Sequence, residues 1–462
     1  MIIDLEPESV GWLSQLWERK GASFRLAGDG LAVLLAAAIG SGFSFLSQVM
    51  LARILGPEQF GIYSLVLSWV AALSLLLPFG LDATILRFVA AYGTLRNFSA
   101  LRGLLLRITQ IVAGGSLIAA ALMAAMSMSL RPGISQAFLV GALLLPMVTL
   151  FQVGNKIVLG LHHPVCSALS GQMVRHSTLA ALILILGYGM RIPLTAQRAV
   201  LLAAAAMLVG LVTNQYFTFL YLPKELFQVR AEYRTREWLG VGLPLMVVTA
   251  AEQTLARGDI IILGVFRTKT EVGFYGAVVA LTLCMDLISA SMNSVIAPRF
   301  AELHAKHDRD SLQKLLTRSS AIVFLATLPI GLLFILFGRQ ILQLFGKDFS
   351  SGASALALLS IASLIRALAG SVGLLLSMTG LHSLYAKTVV VTACIAIGLD
   401  LALIPSFGVM GAAVSTLLGV IVGSVILGMI VIVNAGIVPS AVAPVLMRFP
   451  ATRKRILGEL DS

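Results

Sequence analysis

The sequence has few charges, few cysteines and none of the motifs typical of nucleotide- or metal-dependent enzymes. Only 12% of its 462 residues are charged, whereas 58% are hydrophobic. Soluble globular domains carry about 25% charged residues, so the composition excludes that class and predicts a polytopic membrane protein. The sequence lacks a P-loop, an H-E-x-x-H pair, a G-x-S-x-G turn and a dinucleotide fingerprint. We therefore expect no ATP hydrolysis and no enzyme activity from the chain itself.

The three cysteines, Cys166, Cys284 and Cys394, are far apart and form no C-x-x-C pair. This spacing predicts free thiols, with neither a disulfide framework nor a metal site. We expect no cofactor. The driving force is then either a proton or sodium gradient or the gradient of the substrate itself.

Residues 1–29 contain charged residues throughout and lack the apolar core and cleavage site of a signal peptide. We expect them to remain on the chain as a cytoplasmic segment. Trp12, Leu16 and Phe24 are among the apolar residues spaced to share one helical face, which suits a short helix in the membrane interface. A tail without structure is the alternative that the pattern leaves open.

Twelve apolar segments are long enough, at about 20 residues each, to cross a bilayer as helices. They cover residues 30–52, 61–81, 107–129, 137–160, 168–190, 197–222, 241–265, 273–295, 319–338, 352–378, 385–404 and 411–433. With the N-terminus inside, one face collects 22 of the 33 Lys and Arg residues and the other collects 8. This bias predicts an even number of spans, with both termini in the cytoplasm.

The two halves of the chain repeat each other. LARILGPEQFGIY at 51–63 has a weaker copy, ILGVFRTKTEVGFY, at 262–275, so that Gly61 and Gly273 match at a distance of 212 positions. GLHH at 160–163 and GLHS at 380–383 form a second pair. The repeats predict six-helix bundles at 30–222 and 241–433, a linker at 223–240 and a basic cytoplasmic tail at 434–462. Parallel repeats of this kind place a substrate path between the bundles.

Ionisable residues in the seventh span are the strongest functional signal, since charge at membrane depth is costly and marks transport paths. Glu252 lies about 15 Å from the inner end at 1.5 Å per residue. Glu252 and Asp259 are seven residues apart and share a helix face, whereas Arg257 points away from both. The structural alternative is that these groups pair with other helices and hold the bundle together.

Three further charges lie within predicted spans. Arg366 falls near the middle of the tenth span, where its planar fork suits a phosphate or carboxylate; pairing with Asp286, Asp400 or Glu252 is the alternative. Asp286 and Asp400 are candidate proton or ion carriers, although Asp400 is near enough to a span end to be interfacial. Lys156 lies near the inner end of the fourth span and is long enough to reach the interface.

The run beginning at residue 51 carries A-R-x-L-G-P-E-x-F-G-x-Y followed by G-L-D-x-x-x-x-R-F. With it, the chain resembles the polysaccharide flippases of the MOP exporter superfamily. The second half agrees through R-x-D-x-x-x-L-G at 257–264, G-x-Y at 273–275 and IPSFGVMGAAVSTLLG at 404–419. Arg267 and Lys269 replace the G-P-E of the first hairpin, so the two repeats are not strictly symmetric.

The resemblance implies an all-α fold of two six-helix bundles that moves polyprenyl-diphosphate-linked oligosaccharide by alternating access. It also implies a cationic central cavity for the diphosphate. Arg53, Arg87, Arg257 and Asp259 match family positions. Adding the residues selected by depth, the predicted substrate-binding residues are Arg53, Arg87, Lys156, Arg257 and Arg366, and the predicted ion-coupling residues are Glu252, Asp259 and Asp286.

The expected partners are the lipid-linked glycan, membrane lipids and enzymes that make or polymerise the glycan, in O-antigen, lipopolysaccharide or exopolysaccharide synthesis; nucleic acid is not expected. The alternatives are an ion-coupled multidrug antiporter of the MATE type and a lipid II flippase. The antiporter requires an acidic cavity that attracts cationic substrates.

Overall fold

The computed structural model describes residues 8–190 and 193–438, with side chains described from residue 32 onward except at 34, 82, 83 and 435. The described ranges contain helices and no strand. The predicted amphipathic face of residues 1–29 and the basic tail from residue 439 onward lie outside the part of the chain whose side chains are described. Polar residues start several helices by accepting a backbone N–H, as Asn97 does from Ala100 and Asp308 from Ser311.

Thirteen helices follow one another in the described chain. They are α1 Glu8–Leu76, α2 Leu81–Thr94, α3 Phe98–Ser127, α4 Pro132–Gly160, α5 Pro164–Gly189, α6 Ala196–Tyr221, α7 Thr235–Phe266, α8 Lys269–Ala305, α9 Arg309–Leu342, α10 Ala353–Ala369, α11 Val372–Met378, α12 His382–Phe407 and α13 Val409–Ala435. Helices α1–α6 form the N-terminal bundle and α7–α13 the C-terminal bundle.

Eleven of the described helices are long and apolar enough to cross a membrane. The first of these stretches, Leu35–Leu76, has 42 residues, which is about twice the length that a bilayer needs. Gly56 leaves the helical conformation inside it, with φ 69° and ψ 174°, and divides α1 into two membrane-length segments. The all-α, two-bundle fold class with about twelve crossings is therefore confirmed.

Two predicted spans are interrupted, and this corrects the sequence-based boundaries. The span predicted at 61–81 ends as a helix at Leu76, and α2 resumes after Phe79 and Gly80, whose φ values are 53° and 70°. The span predicted at 352–378 breaks at Gly370, where φ is 85°. Proline and glycine explain the first break, since Pro78 precedes it and glycine favours positive φ. The two breaks do not fall at matching positions of the two repeats.

The bundles meet where α1 crosses α8. A Cβ added at Gly61 would lie 1.8 Å from the carbonyl oxygen of Lys269, and one at Gly273 would lie 2.0 Å from the carbonyl oxygen of Pro57. Each glycine and each carbonyl is 212 positions from its counterpart. The crossing is therefore a pair of equivalent contacts about a two-fold axis that relates the repeats. Backbones can approach this closely only because both positions lack a side chain.

The segment between the bundles is shorter than predicted and lies against the N-terminal bundle. Helix α7 begins at Thr235, inside the predicted linker. Arg102 of α3 donates hydrogen bonds to the carbonyls of Phe227 and Val229, at 3.1 and 2.5 Å. Trp238, in the first turn of α7, is 1% exposed, packs in the core formed by α2, α3 and α4, and donates to the hydroxyl of Tyr92 at 3.3 Å. The start of α7 is thus fixed in the bundle that precedes it.

We expect Gly61→Ala and Gly273→Ala to destabilise the protein by about 1–3 kcal/mol each, because the added methyl group overpacks a backbone contact. Thermal unfolding of the purified protein in detergent measures the effect. Gly42→Ala is the control, since a Cβ there meets nothing within 4 Å, and it should leave the melting temperature unchanged or raise it slightly. Equal melting temperatures for all three variants would contradict the glycine crossing.

Candidate functional site

Two cavities lie inside the C-terminal bundle. The larger of the two has a volume of about 450 Å³. Its lining comes from α7–α13 and includes three carboxylates, Glu252, Asp259 and Asp400, and one guanidinium, Arg366. The helix is interrupted between α10 and α11 at the wall of the cavity, and Gly370 and Ser371 of this interruption line the cavity as well. The balance of charge among these lining residues is acidic.

Asp259 is held by a network of hydrogen bonds. It is 8% exposed. The hydroxyl of Tyr275 donates to Asp259 Oδ2 at 2.6 Å, and Thr416 Oγ1 of α13 donates to the same oxygen at 3.3 Å. The backbone N–H of Ile260 donates to Oδ1 at 2.7 Å. Donors from three helices thus fix the carboxylate, which offsets the cost of burying it.

Asp400 of α12 is the second buried carboxylate of the cavity, at 4% exposed. Its Oδ1 is fully buried and accepts no hydrogen bond from any group in the described part of the chain, and the same holds for Thr392 Oγ1, also on α12. A buried carboxylate oxygen without a partner is expensive. Together with Asp259 and the hydroxyls of Thr392 and Thr416, Asp400 provides hard oxygen atoms suited to a proton or a small cation. Asp400 lies seven residues before the end of α12, and its burial at the cavity agrees with its prediction as a candidate ion carrier.

Of the other predicted ion-coupling residues, Glu252 lines the same cavity and Asp286 lines a second one. Glu252 accepts a hydrogen bond from the hydroxyl of Tyr385 at 2.8 Å. Asp286 pairs with Arg366, with Oδ1 and Nη1 3.3 Å apart. This pairing is one of the alternatives that the sequence left open for Arg366. The pair lines a second cavity of about 150 Å³ together with Arg257, and Asp259 and Arg366 contribute to both cavities. Arg257 thus lines the second cavity with Asp259, from which its helix position predicted it to point away, and is not among the residues that line the first cavity with Glu252.

The predicted substrate-binding residues are not brought together in one cationic cavity. Arg53 lies at the predicted outer end, where Nε donates to the carbonyl of Leu344 at 2.6 Å and links α1 to the opposite bundle. The guanidinium of Arg87 on α2 is exposed and lies 5.9 Å from the ring centre of Phe88. Lys156 is half-buried in α4, four residues before its end. None of these three lines either of the two cavities.

Sequence reasoning missed the position of Arg175. Arg175 was counted with the cytoplasmic face, but α5 begins at Pro164, so Arg175 lies eleven residues, or about 16 Å, inside the helix.

Neither the predicted ion-coupling residues nor the predicted substrate-binding residues resemble an enzyme centre or a metal centre. Among the residues that the structure describes, no group of three or more His, Cys, Asp and Glu side chains is placed to hold a metal ion. The three cysteines are free thiols, as predicted. The arrangement in the C-terminal bundle is suited to binding and releasing a cation.

Both the sequence and the fold of the chain are similar to those of known proteins. The sequence profile described as polysaccharide biosynthesis protein matches residues 27–304. The chain is 26% identical over 169 residues to a probable low-salt glycan biosynthesis flippase, Agl15, of Haloferax volcanii, and 29% identical over 171 residues to a probable flippase, AglR, of the same organism. Each match covers 36% of this chain and 36% of the relative, so the chain spans about a third of the length of these curated relatives.

Solved structures show the same fold at low identity. The inward-facing conformation of a multidrug resistance MATE family transporter of the MOP superfamily is 15% identical, with a TM-score of 0.69, over 93% of this chain and 99% of that one. The lipid II flippase MurJ in an inward closed conformation is 12% identical, with a TM-score of 0.67, over 87% of each chain. The chain therefore shares its fold with these two proteins.

We expect Tyr275→Phe to destabilise the protein by about 1–3 kcal/mol, because it removes a hydrogen bond to a buried carboxylate. The midpoint of thermal unfolding in detergent reports the change. Tyr216→Phe is the matched control, since Tyr216 is 63% exposed, and should shift the midpoint by no more than its error. A Tyr275→Phe protein as stable as the wild type would show that the hydroxyl does not hold Asp259.

Proposed function

The chain belongs to the polysaccharide biosynthesis protein family, and on that premise we propose that it is a flippase, a transporter rather than an enzyme. The substrate that we propose is a polyprenyl-diphosphate-linked oligosaccharide, moved across the plasma membrane with both termini of the chain in the cytoplasm. The observation that carries the proposal is the family match over residues 27–304, well over half of the chain. The two Haloferax relatives, which are named as flippases, and the MOP fold support it.

The physical problem for such a transporter is the charged head of its substrate. A diphosphate cannot enter hydrocarbon without cationic or polar partners, whereas the apolar polyprenyl tail is soluble in the lipid. We therefore propose that the head passes between the bundles while the tail stays in the bilayer. The bundles alternate between openings, and the glycine crossing of α1 and α8 provides the contact about which they change angle.

The acidic cavity has a separate role in this proposal. Glu252, Asp259 and Asp400 repel a diphosphate and attract a cation, so we assign the cavity to the coupling ion, a proton or sodium. Movement of the ion down its gradient through the C-terminal bundle drives the change in bundle angle. Asp286, in its pair with Arg366, borders the same path.

The carried glycan belongs, in this proposal, to a surface polysaccharide such as O-antigen, lipopolysaccharide or exopolysaccharide. Glycosyltransferases supply the lipid-linked unit on the inner leaflet and a polymerase uses it on the outer leaflet. The second candidate function is a MATE-type cation or drug antiporter, and the acidic lining of the larger cavity is the observation that favours it.

Deletion of the gene distinguishes the two candidates. We expect lipid-linked glycan to accumulate on the cytoplasmic leaflet, and we expect wild-type protein to clear it and Asp259→Asn to clear it at least tenfold more slowly. Asp310→Asn is the control, because Asp310 is exposed at the start of α9 and outside the cavity. Unchanged glycan export combined with altered sensitivity to cationic drugs would replace the flippase by the antiporter.

Reconstitution tests the coupling ion. In proteoliposomes that carry lipid-linked oligosaccharide, an imposed sodium or pH gradient should accelerate transfer between leaflets by the wild type. Asp400→Asn should lose at least nine-tenths of that acceleration, because it removes the buried charge that the cation neutralises. Leaflet exposure is read by accessibility of the glycan to an added glycosidase. Full acceleration in Asp400→Asn would remove the cavity from the coupling mechanism.

A further inference from the structure

Arg175 is a charged residue in the middle of the N-terminal bundle. It follows the π-helical turn Leu169–Val174 of α5, a departure from regular helix that is frequent at functional sites. Gly210 of α6 permits its close approach, since a Cβ at Gly210 would lie 3.3 Å from Arg175 Cβ. The position is therefore built into two helices by backbone features rather than left at a lipid-facing surface.

No carboxylate compensates this charge in the described part of the chain. The ion pairs found there involve Arg234, Arg267, Lys306 and Arg366, and not Arg175. Between residues 30 and 222 the sequence has two carboxylates, Glu58 and Asp82. Tyr63 of α1 is near enough to interact electrostatically, but a phenol carries no charge at physiological pH.

The hydrogen bonds of the guanidinium are incomplete as well. Nη2 lies 2.7 Å from Nε2 of His176, which accepts when the imidazole is neutral. Nε is fully buried and donates to no group among the described residues. Part of the Arg175 side chain nevertheless remains accessible. An arginine at membrane depth is costly without an anionic partner, and its planar fork is suited to phosphate oxygens.

We propose that Arg175 is an anion-binding residue of the N-terminal bundle whose ligand is a phosphate-bearing group, the diphosphate of the lipid-linked substrate. This inference rests on the proposed function. It assigns one ligand to each bundle: the N-terminal bundle binds the anionic head, and the acidic C-terminal bundle binds the coupling cation. Ser170 and Asn214, which are hydrogen-bonded to each other at 3.2 Å, add further polar side chains beside Arg175.

Binding to the full chain in phosphatidylcholine nanodiscs, measured by native mass spectrometry, tests the inference. The probes are undecaprenyl diphosphate, undecaprenol as the uncharged tail, and inorganic pyrophosphate as the free anion. We expect Arg175→Gln to bind undecaprenyl diphosphate at least tenfold more weakly than the wild type, and Arg175→Lys to fall between them because it keeps the charge and loses the fork. Undecaprenol binding should be equal in all three.

The matched control is Arg198→Gln, which removes an exposed guanidinium at the start of α6 in the same bundle, outside both cavities. It should keep wild-type affinity for undecaprenyl diphosphate. Wild-type affinity in Arg175→Gln would overturn the inference and leave the proposed function standing. Arg175-dependent binding of pyrophosphate without binding of the lipid would keep the anion site and overturn the lipid-linked substrate.

If Arg175→Gln does not fold, a second measurement decides. Pyrophosphate should raise the thermal unfolding temperature of the wild type and raise that of Arg175→Lys by less than half as much. Equal protection of the two proteins would overturn the inference.

Discussion

Two glycine-to-carbonyl contacts between α1 and α8 set the geometry of the whole molecule. Gly61 meets the carbonyl of Lys269, and Gly273 meets that of Pro57. Lipid provides no hydrophobic driving force between helices, so bundles in a membrane depend on close packing of this kind. The aromatic rings of Phe60, Phe274 and Phe349 pack edge to face beside the crossing and extend it towards the predicted outer side.

The two bundles on either side of that crossing differ in the sign of their buried charges. The C-terminal bundle places Glu252, Asp259 and Asp400 around one cavity, while the N-terminal bundle has an intramembrane arginine, Arg175, and few carboxylates in its sequence. Each charge is costly at membrane depth, so such a distribution indicates a function in each bundle. The proposed transport of an anionic head, driven by a cation that moves down its gradient, needs both kinds of site and needs them apart.

Sequence alone was sufficient for the fold and for part of the site. Apolar length and the repeat at 51–63 and 262–275 predicted the bundles, because a bilayer fixes helix length and few folds satisfy a parallel repeat. Helix periodicity placed Glu252 and Asp259 on one face, and the structure places both at one cavity. Depth follows from counting residues along a single helix, which is why these positions were predictable.

Contacts between helices were harder to predict from the sequence. Nothing in the sequence selects Asp286 from the other possible partners of Arg366, because that choice depends on how α8 and α10 pack. The breaks at Gly80 and Gly370 were missed since glycine is common throughout these spans and only some glycines adopt positive φ. Arg175 was misplaced because α5 begins before the apolar run does. In each case the missing information was three-dimensional packing.

Helix α7 belongs to both bundles at once. Its first turn is anchored by Trp238 in the core of the N-terminal bundle, while Asp259, five to six turns later, is bonded to Tyr275 and Thr416 in the C-terminal bundle. A rigid rod clamped at both ends cannot follow a change in the angle between its two supports. Any rocking of the bundles must therefore bend α7 between its clamps, in the stretch that contains Gly242 and Pro244, and transmit mechanical load directly to the carboxylate that faces the cavity.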